Sequence, residues 1–160
     1  MLAPFAASAS QRSPEELKGK LAVANAKLAY QRYKELFSGE RWEALAAKGA
    51  TTQRCLWAST STKNPAYRDV LYVEELIGPE TVNTMPEETI EAFQDHGQVA
   101  LTLERDVDEA ERVFDRIAEA GVDYDDVVVT LEREGVTKFA DSFAELLDGI
   151  EAKRGELVSA

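Results

Sequence analysis

One hundred and sixty residues, 44% of them hydrophobic, suffice for one domain with a core and argue against disorder. Thirty acidic against eighteen basic residues leave a formal charge of −12, a field that repels nucleic-acid backbones and anionic membrane surfaces. A small anionic metabolite is not excluded, because a local pocket of amides and one or two cations can oppose the global field.

Cys55 is the only cysteine, so no intrachain disulfide is expected and a reducing cytoplasmic setting fits. No apolar run approaches the roughly 20 residues that span a bilayer, so no membrane anchor is expected. Residues 1–13, MLAPFAASASQRS, read as an unstructured tail. Their Ala/Ser-rich, acid-free composition also fits a transit peptide, the less favoured alternative.

The folded segment is expected over 14–160. Ser13, Pro14 and Glu16 combine an N-cap, a first-turn proline and a capping glutamate, which predicts a helix start. Leu17, Leu21, Ala24, Leu28, Tyr33 and Phe37 continue it as one long helix to Ser38-Gly39. Trp42, Leu45 and Ala46 predict a short second helix closing at Gly49. Arg54 to Ala58 is a short, mostly apolar run that suits a buried strand, and it enters the polar stretch Ser59 to Pro65. A short helix over Val70 to Leu76 and a strand over Glu80 to Thr84 complete a crossover pattern, which implies two parallel neighbours.

Thr84 as N-cap and Glu87 three positions on predict the next helix, running to His96-Gly97. Another opens at Asp106, with Val107, Ala110, Val113, Phe114 and Ile117 as its apolar stripe and Gly121 as its stop. Residues 123–134 look helical, and a final helix presents Phe139, Phe143, Leu146, Leu147 and Ile150 on one face. The expected architecture is α/β but helix-dominated, with about two parallel strands and six or seven helices. Two strands cannot close a barrel or make an ordinary doubly wound sheet, so the pattern reads as the end of a longer alternating chain.

The loop after the first strand holds hydroxyls at Ser59, Thr60, Ser61 and Thr62 and a cation at Lys63. With backbone amides and a following helix, these are the parts of a phosphate cradle. The same residues also make a Ser/Thr-rich turn with a solvated lysine, and spacing alone leaves both readings open. Lys18, Lys20, Lys27 and Lys34 fall on a helix with ample solvent-facing positions, so their ammonium groups are expected in water, charged and non-nucleophilic. His96 is expected to cap a helix, Cys55 to fill a strand and Trp42 and Trp57 to pack in the core. The acids from Glu104 to Glu111 lack the spacing of a calcium loop, so no metal is expected.

Four runs stand in order: Gly19 to Tyr30 (GKLAVANAKLAY), Leu56 to Thr60 (LWAST), Lys63 to Tyr67 (KNPAY) and Thr81 to Pro86 (TVNTMP). Together they resemble the bacterial branch of the transaldolase family, over its C-terminal portion. The resemblance implies the C-terminal part of a TIM (β/α)8 barrel, with 54–58 similar to strand seven and 81–84 to strand eight. It implies transfer of a dihydroxyacetone unit between sugar phosphates through a Schiff base on a strand-four lysine, without a cofactor. No counterpart of that strand occurs here, so no catalytic residue is assigned and the chain alone is expected to be inactive. Ser59, Thr60 and Lys63 are the implied phosphate-binding residues, although most relatives outside this branch use arginine where Lys63 stands. Lysine offers a point charge in place of a bidentate fork. The implied ligand is a sugar phosphate. An N-terminal barrel portion or self-association would cover the strand edges, and a noncatalytic helical binding module is the remaining alternative.

Overall fold

The structure, a computed structural model, describes residues 14–158. It divides into two compact units, one ending at Ala120 and one beginning at Gly121. The first holds a 3-10 turn at Pro14–Leu17, helices α1 (Leu21–Leu36) and α2 (Gly39–Ala46), strand β1 (Cys55–Trp57), helix α3 (Leu71–Glu75), strand β2 (Thr81–Asn83), and helices α4 (Glu87–His96) and α5 (Val107–Glu119). The second is α6 (Tyr124–Val158). The parallel pair is present: Cys55 faces Thr81, Leu56 faces Val82 and Trp57 faces Asn83.

Two apolar clusters hold the first unit together. Ala24 of α1 packs with Ala110, Val113 and Ile117 of α5, flanked by Leu17, Leu21, Leu28 and Phe114; this is the stripe that the sequence marks. Tyr30, Leu76 and Leu103 form the second, against which Tyr33, Cys55 and Trp57 pack. Leu103 and Val70 are wholly buried, each worth roughly 1.5–3 kcal/mol relative to exposure. The Tyr30 hydroxyl donates to the Pro79 carbonyl at 3.1 Å, joining α1 to the segment before β2.

Three local expectations are corrected. The long first helix is broken at Gly19, whose φ of +77° is left-handed and costs glycine nothing. A Cβ there would lie 3.1 Å from Tyr67 Cζ, so packing against a distant ring overrides helical periodicity; Ser13, the expected N-cap, lies outside the described residues. Thr84 does not cap α4. Pro86 holds that position with no side-chain cap bond, while the Thr84 amide and hydroxyl both donate to the Trp57 carbonyl, at 2.9 and 3.3 Å. The two helices expected after Gly121 are one of 35 residues. The Asp126 amide donates to the Asp123 carboxylate at 3.1 Å at its start, and Gly135, though a poor helix former, brings no proline to end it.

Candidate functional site

β1 delivers the chain to its carboxyl end at Trp57, and the polar loop begins two residues later. Ser59 is exposed and left-handed, with φ at +58°, a conformation costing a non-glycine residue about 1–2 kcal/mol. Thr60 then turns inward and is only 2% exposed. Its hydroxyl lies 2.8 Å from Asn83 Oδ1 and 3.2 Å from the Thr84 carbonyl. The loop thus folds back over the carboxyl end of β2, and Ser59 is set in its strained conformation beside that anchor.

Lys63 is exposed, and its ammonium donates to Ser61 Oγ at 2.8 Å. Among the described residues no carboxylate forms an ion pair with it. The rest of the loop is held locally: Thr62 Oγ1 donates to the Arg68 carbonyl at 3.2 Å, and Asn64 Oδ1 accepts the Ala66 amide at 2.9 Å around Pro65. The structure brings Ser59, Thr60 and Lys63 onto one loop, with the Thr60 hydroxyl committed inward. The expected help from a following helix dipole is absent. α3 begins only at Leu71, is five residues long, and is too short and too far along the chain to aim a macrodipole at the loop.

Beyond the loop, Arg68 grips the Glu74 carboxylate with its two terminal guanidinium nitrogens, at 2.7 and 3.1 Å. Glu74 Oε1 also accepts the Gln98 amide at 3.0 Å. His96 ends α4, with Nε2 2.9 Å from Asp69 Oδ1 and Nδ1 3.1 Å from Asp95 Oδ2. Hydrogen bonds to Asp69 and then Asp95 raise the imidazole above its ordinary value of 6.5, and the bond to His96 holds Asp69 below 3.8. Sequence reasoning missed both Asn83 as the loop's anchor and Asp69 as the partner of His96. No spacing rule links residues on different elements, and the sole signal was a histidine at a helix end.

Of the lysines expected in solvent, Lys27 is a correction. It is buried, 8% exposed at its side chain, and its ammonium reaches Glu75 Oε2 at 3.4 Å and the Arg105 carbonyl at 3.2 Å. Those two contacts tie α1 to α3 and to the segment before α5. Lys34 pairs with Glu104 and lies 5.4 Å from the Tyr30 ring centroid. A cleft of about 390 Å³ opens beside Lys27, lined in part by Lys20, Val23, Tyr67, Glu75 and Asp106. Burial pushes the Cys55 thiol up, as suits a strand filler. Among the described residues no group of three or more His, Cys, Asp or Glu side chains is arranged to hold a metal ion, and no helix is long and apolar enough to cross a membrane.

The family model for transaldolase/fructose-6-phosphate aldolase matches residues 3–150, a range that takes in most of the segment read as a tail. A protein named transaldolase from Frankia alni is 56% identical over 140 residues, covering 87% of this chain and 38% of the relative. A transaldolase from Mycolicibacterium paratuberculosis is 53% identical over 141 residues, with the same two shares. One from Acidothermus cellulolyticus is 57% identical over 130 residues, or 81% of this chain and 35% of the relative. The chain therefore spans little more than a third of the length of the curated relatives it matches.

Proposed function

The chain belongs to the transaldolase/fructose-6-phosphate aldolase family, and from that membership we propose that it supplies the phosphate-binding end of a sugar-phosphate site. In this reading residues 14–160 are the C-terminal segment of a (β/α)8 barrel, with β1 and β2 as its last two strands. The complete protein transfers a dihydroxyacetone unit between sugar phosphates in the cytoplasmic pentose phosphate pathway. Ser59 and Lys63 meet the phosphate, one by a directed hydroxyl and one by charge, while Thr60 holds the loop in place from beneath. The observation behind this reading is the fold-back of the loop. Thr60 is tied to Asn83 at the carboxyl end of β2, the end at which barrel enzymes bind their ligands, and Lys63, three residues further along the same loop, is exposed with no carboxylate partner among the described residues.

Titration with inorganic phosphate and with fructose 6-phosphate tests it. Lys63→Ala is expected to weaken binding roughly tenfold or more, as loss of a charge-assisted hydrogen bond implies, and Lys63→Arg to retain it. Equal affinity in wild type and in the Ser59→Ala/Lys63→Ala double variant would sink the reading. The chain alone is proposed to lack the Schiff-base amine. Borohydride with fructose 6-phosphate should leave its mass unchanged, and a trapped adduct on any lysine would refute that part.

A second reading has its own support. Leu56 is 55% exposed on the strand face opposite Cys55 and Trp57, and among the described residues each strand pairs on one side only. A half-barrel that docks with a further barrel portion, or with itself, would cover that face and those edges. A monomer on a sizing column whose Leu56 and Val82 amides are strongly protected from exchange would count against it.

A further inference from the structure

The proposed phosphate loop is fastened at its near end by Thr60. Its far end is fastened too, by charge. Asp69 meets His96 at 2.9 Å, and Asp95 meets the other ring nitrogen at 3.1 Å. Only the imidazolium donates at both nitrogens, so the neutral ring must give up one of these bonds. The C-terminal end of α4 favours the same cation. One residue back, the Arg68 carbonyl accepts from Thr62, the neighbour of Lys63. The Arg68 side chain holds Glu74, which in turn accepts the Gln98 amide. Residues 68–69 are thereby tied twice to residues 96–98.

We propose that Asp69 and His96 form a clasp that positions the far end of the phosphate loop against α4, and that the charge on His96 sets how firmly Lys63 and its neighbours are held. His96 is a positioning residue here, and the effect on ligand binding rests on the phosphate reading above. The charged groups around the ring are Asp69 from the loop and Asp95 from α4; beside them Arg68 and Glu74 largely neutralise one another. Two acids facing one imidazole raise it above 6.5. The stabilisation that His96 contributes is therefore complete below its unfolded value and lost as pH rises through the higher folded value. Asp69, depressed below 3.8, contributes fully above that value and loses its part as pH falls through the folded one. The clasp is closed on the mildly acidic side and opens with alkalinity.

Because His96 is the only histidine, its ring protons report one clean NMR titration in the full chain. The binding probe is sulfate, whose charge, unlike that of phosphate, is constant through the neutral range. The expected midpoint lies above the ordinary value in wild type and falls in Asp69→Asn. Corrected amide exchange over 61–69 should quicken roughly two- to five-fold from about pH 6 to about pH 8.5 in wild type, the size expected of an exposed ion pair. His96→Gln should show no such step, and His96→Lys, a permanent cation, should keep the loop slow at both. Sulfate affinity should follow the same pattern. An unshifted His96 midpoint that ignores Asp69→Asn, or the same pH step in His96→Gln as in wild type, overturns the clasp. If sulfate fails to bind at any pH while the His96 and exchange signals behave as expected, the phosphate reading fails and the clasp stands. Sulfate bound with an affinity indifferent to His96 overturns the link between them.

Discussion

The hydroxyl of Thr60 lies 2.8 Å from Asn83 Oδ1, so the loop that leaves β1 is fastened to the last residue of β2. Thr60→Val keeps the shape and removes the donor, leaving an amide oxygen short of a partner. The expected cost is about 1–2 kcal/mol, read as a lower urea midpoint, together with weaker binding of inorganic phosphate although no ligand contact is removed. Thr60→Ser should restore most of the affinity, since it keeps the hydroxyl and loses only a methyl.

Lys27 tests a buried pair of unequal partners. Its side chain is 8% exposed, while that of Glu75 is 41% exposed, so water can rescue the glutamate in part. Lys27→Ala should cost about 1–3 kcal/mol, below the range for a fully buried pair. Lys27→Met fills the same channel without a charge and should be close to neutral. Urea denaturation of the two variants separates packing from charge.

Gly78 sits where a side chain has no room. A Cβ there would come within 2.6 Å of Leu103 Cδ2 and 2.9 Å of Leu103 Cβ, and Leu103 is wholly buried. Gly78→Ala should destabilise by about 1–3 kcal/mol through overpacking. Adding Leu103→Ala should cost less than the sum of the two changes, with a coupling of about 0.5 kcal/mol or more.

In α6, Gly149 faces open space and would gain a Cβ with no neighbour within 4 Å. Gly149→Ala should strengthen the helix by about 0.5–1 kcal/mol, seen as slower amide exchange in the surrounding turns. Unchanged exchange there would mean that helix propensity does not limit α6.

What the sequence made legible is whatever local chemistry decides. Cys55–Trp57 lies in a mostly apolar run between turn signals and Thr81–Asn83 completes the crossover pattern, and both are strands. Ala110, Val113 and Ile117 recur at helical spacing, and all three are buried. What stayed hidden depends on residues far along the chain. Gly19 breaks a periodic helix where the Tyr67 ring packs on it, and Thr84 gives its hydroxyl to the Trp57 carbonyl in place of capping α4. Lys27 sits on a helix face that reads as solvated and is covered by α3 and the Arg105 carbonyl. In the proposed site, Ser59 and Lys63 were legible as residue types. The Asn83 anchor and the Asp69 to His96 bond arise only once β2 and α4 are placed.

α6 leaves Val136, Phe139, Phe143, Leu146 and Ile150 exposed, between 56% and 82%, at alternating steps of three and four residues. A run of bare aromatic and aliphatic groups is what chaperones and proteases recognise as unfinished folding. So long as it stays uncovered, that stripe is expected to expose the polypeptide to quality-control surveillance in addition to whatever its core stability sets.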